Sequence, residues 1–129
     1  MTIYIPYTPP ERELNLGSEY NRLMEASPTE HVCFLDHDAT WLRKDWYQQI
    51  TEHLDRYPDL GLLTCPATRS GAPQQRWRDG QLKTEHDIAR LRKPAHAERV
   101  RHVELPARAQ VSGVVIVTSK TAWSKAGGF

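Results

Sequence analysis

Two aspartates spaced two residues apart, Asp36 and Asp38, follow directly on the apolar run Val32-Cys33-Phe34-Leu35. Side chains alternate along a strand, so the spacing predicts that both carboxylates point one way and His37 the other. In a parallel α/β sheet, ligands gather beyond the carboxyl ends of the strands, where this pair would lie. Two neighbouring carboxylates repel each other unless a cation lies between them. Hard oxygen donors with room left for water and phosphate oxygens suit Mg2+ or Mn2+ rather than zinc. The plainer reading is a pair of loop aspartates capping the next helix. The buried character of the strand that ends on them favours chemistry.

Composition limits what can surround the pair. The chain has 129 residues, 39% hydrophobic and 26% charged, enough for one ordinary core and one domain. No apolar run exceeds four residues, against the roughly 20 that a membrane-spanning helix needs. The opening Ile3-Tyr4-Ile5 is cut short by Pro6, so no secretory leader is expected and a cytoplasmic location follows. Cys33 and Cys65 both sit in apolar runs and read as buried free thiols. The net charge of +1 conceals an uneven distribution. Residues 1–65 carry 5 Lys/Arg against 11 Asp/Glu, net −6, and residues 66–129 carry 12 against 5, net +7. Such a division suits a site with a cation on one wall and phosphate oxygens on the other. The basic residues lack a motif or an aromatic ladder, so no nucleic-acid partner is expected.

Periodicity supplies the elements that must position the pair. Thr2–Pro6 reads as a strand. Leu16, Tyr20, Leu23 and Met24 recur at helical spacing and predict a helix over about Asn15–Ala26, with Asn15 as its N-cap. His31–Leu35 reads as a strand covered on both faces. A second helix is predicted over Lys44–Tyr57, with Pro58 as its stop, and Leu60–Cys65 as the next buried strand. Residues 66–81 read as a loop, Gln81–Lys93 as a weaker helix and Val100–Leu105 as a half-exposed strand. Val111–Thr118 is apolar again, and Ser119–Ala126 reads as a short helix stopped by Gly127-Gly128. Strands alternating with helices predict an α/β fold: a single domain over 1–129 with a mostly parallel sheet flanked by helices.

With these elements in place, the sequence resembles the family 2 glycosyltransferases of the GT-A (Rossmann-like) fold. Ile5-Pro6-Tyr7-Thr8 looks like the family's first-strand motif, and Asn15-Leu16-Gly17-Ser18-Glu19-Tyr20-Asn21 like the helix start that follows. Phe34-Leu35-Asp36-His37-Asp38 matches its DxD motif, and Trp41 through Trp46 the aromatic helix after it. Gly61-Leu62-Leu63-Thr64-Cys65 is similar to the next strand, and Val111-Ser112-Gly113 with Trp123 through Phe129 to the closing "SG…W…GGF" segment. These pieces cover most of the chain except about 66–110. The resemblance implies a metal-dependent, inverting hexosyltransferase-type enzyme using a UDP- or GDP-linked sugar donor and an unidentified acceptor. Asp38, with Asp36, would hold Mn2+ or Mg2+ across the diphosphate, the charge that must be stabilised as the nucleotide leaves. Pro6, Tyr7, Thr8, Asn15 and Gly113 would contribute to the donor site, and Arg69, Arg76 and Arg78 could add to the phosphate clamp. Trp123 could stack on a sugar, core packing being the commoner fate of such a residue. A homodimer would complete the acceptor side.

Two departures qualify the resemblance. Only eight residues separate Pro6 from Asn15, so the intervening helix, strand and base-reading acid of the family are missing. The family's general base comes from an acidic segment beyond its Gly-Gly-Phe. In its place Asp79, Glu85, His86 and Asp87 are candidates, with His86 and Asp87 foremost. Hence the alternative of a catalytically incomplete nucleotide-sugar-binding module. A further alternative is that Asp36-His37-Asp38-Ala39-Thr40 satisfies DxDxT and resembles the haloacid-dehalogenase-like phosphohydrolases. Asp36 would then be nucleophile and Asp38 acid/base, with Val114–Thr118 and Lys120 standing in for later motifs.

Overall fold

In the computed structural model the described residues are 1–7, 15–68, 70–77, 84–98, 102–106 and 108–129. In chain order they form β1 (Thr2–Tyr4), α1 (Leu16–Ala26), β2 (His31–Leu35), α2 (Trp46–Arg56) and β3 (Leu62–Leu63). A single 3-10 turn (Pro73–Gln75) follows, then α3 (Glu85–Ala97), β4 (Val115–Ser119) and α4 (Lys120–Ala126). The α/β class and most elements agree with the periodicity. Asn15 caps α1 through its Oδ1, which accepts from the Ser18 N–H at 3.0 Å. Gly127, at φ 84°, stops α4. There the Gly127 N–H donates to Ser124 O and the Gly128 N–H to Trp123 O, the paired bonds of a Schellman motif.

The sheet corrects one expectation. Its order is β1-β2-β4-β3, with β1 parallel to β2 but β4 antiparallel to both β2 and β3. It is therefore mixed and mostly antiparallel, not mostly parallel. The cause is the long connection from Thr64 to Val114, which leaves and re-enters the sheet at the same end instead of crossing back. β1, β2 and β3 still point the same way. Their carboxyl ends, and the start of β4, collect at one edge of the domain: Tyr7, Asp36–Asp38, Thr64 and Gly113.

Other elements differ in extent. β3 is two residues long rather than six; Leu60 is already committed to a turn, its N–H donating to Tyr57 O at 3.1 Å. Residues 102–105 form no strand, because alternation alone provides no partner to pair with; instead His102 stacks on Tyr57 at a centroid distance of 4.2 Å. The third helix runs through Pro94 to Ala97 rather than ending at Lys93. Arg43 holds this last turn, its Nη1 donating to Ala95 O at 2.8 Å and to Glu98 O at 3.2 Å. A cation at a helix C-terminus is favourable both as a donor and against the macrodipole.

β2 is covered on both faces, as expected. Val32 and Phe34 pack with Leu23, Met24 and Ile116 under α1 and α4. Cys33 packs with Ile50, Leu54, Val115 and Val117 under α2. Phe34, entirely buried, anchors an aromatic group in which Tyr20 stacks on it at 4.6 Å and Phe129 meets it edge-on at 5.8 Å. Asn21 ties the chain's end to this face: its Oδ1 accepts from Trp123 Nε1 at 2.8 Å and from the Phe129 N–H at 2.9 Å.

Candidate functional site

β2 delivers Asp36 to the edge of the sheet, where its N–H continues the ladder by donating to Val114 O at 3.0 Å. The strand ends there. Ala39 N–H donates back to Asp36 O at 3.0 Å, closing a turn over 36–39. This turn overrides strand alternation, so His37 does not face away as its spacing predicts. Its backbone N–H and its Nδ1 lie 2.9 and 3.2 Å from Asp36 Oδ1. Asp36, His37 and Asp38, all exposed, present ligand atoms within 4.8 Å of one another. Two carboxylates and an imidazole, open to water, form a donor set that fits a partly hydrated divalent ion.

Asp36 and Asp38 line a cleft of about 1210 Å³. One wall comes from the 36–46 segment and α2. Trp41 and Trp46 lie there as a plate, with ring centroids 4.3 Å apart and planes 2° from parallel. A second wall is the loop after β3, which Gln75 locks in place. Its Nε2 donates to Thr64 Oγ1 at 2.7 Å, and its Oε1 accepts the Ser112 N–H. Glu98, just past α3, joins the walls: its carbonyl accepts from Arg43 and its Oε2 from Trp77 Nε1 at 2.6 Å. Arg43 in turn holds Asp45 through two bonds, at 3.0 and 2.8 Å, and keeps the Asp45 carboxyl well below the usual range.

The other residues singled out from the sequence are dispersed. Pro6 is half-buried and Tyr7 exposed, at the sheet edge shared with Asp36; Thr8 lies outside the described residues. The Asn15 side chain is engaged in its cap. Gly113 is exposed, and a Cβ there would meet only Tyr20 Oη, at 4.0 Å. The Tyr20 hydroxyl titrates above its ordinary value through burial, with the Asp36 charge adding to the effect. Arg76 is exposed; Arg69, Arg78 and Asp79 lie outside the described residues. Glu85 and His86 are exposed in the first turn of α3, and Asp87 closes a capping box with Thr84. Trp123 packs on the core rather than facing an open site. Cys33 and Cys65 are unpaired, and burial pushes their thiols up to about 11 and about 12.

The antiparallel β4 also separates residues that the phosphohydrolase alternative needs together. Leu35 pairs with Val115, whereas His31 pairs with Ser119. Lys120 therefore lies at the opposite end of the sheet, its Nζ donating to Ser27 O at 2.5 Å. At about 3.3 Å per strand residue, the stretch from Glu30, whose carbonyl accepts the Lys120 N–H, to Asp36 spans roughly 20 Å.

The cleft-lining Trp77, Glu98 and His53 were not singled out as site residues from the sequence, and only the Trp41/Trp46 spacing carried any signal for this wall. Compared with family models, with curated proteins and with solved structures, the chain gives no match in any of the three. Among the described residues, no helix is long and apolar enough to cross a membrane.

Proposed function

We propose that this chain is a metal-dependent glycosyltransferase of GT-A type that binds a nucleoside-diphosphate sugar, UDP- or GDP-linked, through its Asp36–Asp38 turn. The observation that carries the reading is the convergence of these carboxylates at the carboxyl end of β2, on the lining of a large cleft. A divalent ion held there would supply charge neutralisation for the departing diphosphate. Asp38 and Asp36 would hold it. His37 would add a nitrogen donor, which favours Mn2+ over Mg2+. Transfer breaks the bond between the anomeric carbon and the diphosphate as the acceptor hydroxyl oxygen bonds to that carbon. The hydroxyl proton passes to a general base. The free thiols suit a reducing cytosol.

The test is calorimetric titration of UDP and GDP into the protein with Mn2+, with EDTA and with Asp38→Ala. Binding that requires both the metal and Asp38 supports the reading, and names the base. Binding of neither nucleotide under any condition refutes it.

A second reading, a binding module without turnover, is favoured by the fate of the two foremost base candidates. Asp87 is engaged in its capping box and an ion pair with Arg90 at 3.6 Å, and His86 sits exposed on the outer first turn of α3. Metal-dependent nucleotide binding, with no release of nucleoside diphosphate from any donor, would identify it.

A further inference from the structure

Near the end of α2 the coil of residues 102–105 meets the helix, and three rings come together: His53, Tyr57 and His102. The two histidines show no ligand spacing in the sequence. The fold alone brings their ring centroids to 5.6 Å. His53 is half-buried and already oriented by its own helix, its Nδ1 lying 3.0 Å from Gln49 O. A carbonyl only accepts, so Nδ1 carries the proton and Nε2 keeps its lone pair. A histidine held in one tautomer by a backbone carbonyl is the usual arrangement of a metal-bound imidazole. His102 is exposed, stacks on Tyr57 with centroids 4.2 Å apart, and makes no side-chain hydrogen bond among the described residues. Its ring nitrogens are therefore open to a ligand.

The separation of the rings suits a shared ion. With metal–nitrogen bonds of ~2.0–2.1 Å, each ring centre stands ~3.2 Å from the metal, and two rings at a tetrahedral angle have centroids ~5.2 Å apart. The observed 5.6 Å needs only a small movement of the exposed His102 ring to match. The coil that carries His102 is otherwise loosely held. Among the described residues no backbone hydrogen bond fixes 102–105, and the neighbouring Val103 is 69% exposed. We propose that His53 and His102 bind one borderline divalent transition ion, zinc foremost, with water completing its coordination, and that the ion fastens this coil to α2. Imidazole pairs select such ions over Mg2+ and Ca2+, which take oxygen ligands. Two protein ligands make the site open and weaker than a closed four-ligand zinc centre. It uses neither aspartate of the 36–38 turn and is independent of the transferase reading.

Long-range 1H–15N NMR reads each histidine ring separately, at about pH 7.5, where unperturbed imidazoles are mostly neutral. Zn2+ should shift His53 Nε2 and one His102 ring nitrogen along a single titration curve, with His53 Nδ1 still protonated. Mg2+ should move neither. His102→Phe keeps a ring on Tyr57 but offers no ligand atom, so it separates ligation from packing. It should weaken the zinc response at His53 by more than the ~10-fold that losing even an orienting partner costs. Asp38→Ala should leave the responses of His53 and His102 in place. Backbone amide spectra establish that each variant is folded, and His102→Gln makes the same test should His102→Phe fail to fold. The proposal is overturned if wild-type His53 and His102 ignore zinc or titrate on separate curves. It is equally overturned if the His53 midpoint is unchanged without His102, or if the response disappears with Asp38→Ala.

Discussion

Replacing Gln75 by leucine removes both ends of an amide that joins two walls of the cleft while keeping most of its volume. Gln75 is 2% exposed. Its Nε2 faces Thr64 Oγ1 at 2.7 Å, Cys65 O at 3.3 Å and Ser112 O at 3.4 Å, and its Oε1 accepts from the Ser112 N–H. Thr64 keeps a partner, since its hydroxyl also donates to Val115 O at 2.7 Å. The Ser112 N–H and the Cys65 and Ser112 carbonyls lose theirs. An orphaned buried group costs about 1–3 kcal/mol, and a carbonyl tolerates the loss better than an N–H. One N–H and two carbonyls held by longer bonds, all only partly shielded, therefore cost ~3 kcal/mol together. The added apolar surface of leucine returns ~1 kcal/mol, leaving a net loss of about 2 kcal/mol. With a urea dependence of ~2 kcal/mol/M, the unfolding midpoint should fall by about 1 M, and Tm by roughly 8 °C. Hydrogen exchange at the Ser112 amide should accelerate in step. Gln75→Glu separates the two ends: it keeps the acceptor for Ser112 and loses the donor. A carboxylate facing three oxygen acceptors favours its protonated form, so its folded pKa lies above the unfolded value of about 4.3. The Glu variant should thus be closest to wild type below that pH and lose stability as pH rises through the folded pKa. A Gln75→Leu midpoint equal to wild type, with Ser112 still protected, would refute the account of how these loops are held.

Two further outcomes follow from single contacts. Gly128→Ala should destabilise by about 1–2 kcal/mol, because φ is 100° and the new Cβ would lie 3.1 Å from Asn21 Oδ1. Gly127→Ala meets open space at φ 84° and should cost less, so thermal unfolding of the pair isolates the contact with Asn21. Asp45, depressed by its hydrogen bonds to Arg43, contributes stability that is complete above the unfolded value of about 3.9 and is lost as pH falls through the lower folded pKa. Urea midpoints of wild type and Asp45→Asn should therefore differ at neutral pH and converge in acid; a constant gap would exclude the ion pair as the cause.

What could be read in the sequence was local in origin. β2 occupies His31–Leu35 as its apolar run predicts, and α1 and α4 end where the proline that follows Ser27 and the Gly127-Gly128 pair allow. The direction of β4 is a different kind of fact. Nothing in Val115–Ser119 distinguishes a parallel from an antiparallel partner, since a strand buried on both faces presents the same apolar run either way. Direction is set by where the preceding connection re-enters the sheet, and here that connection spans Thr64 to Val114. Likewise the helix expected to end at Lys93 runs on to Ala97, where Arg43, 52 residues from Ala95, holds its last turn.

The same division governs the candidate site. Asp36 and Asp38 were legible because a buried strand ending in two carboxylates is a feature of seven consecutive residues. The side of the pair on which His37 falls was misjudged, since alternation holds only while the chain is paired, and the last ladder bond on this side is that of the Asp36 N–H. The cleft walls were not legible, because each depends on a side chain bonded far along the chain. Trp77 reaches Glu98 across 21 residues, and Gln75 reaches Ser112 across 37. An unusual residue such as a tryptophan in a polar loop is a signal only after the fold shows that two others line the same volume.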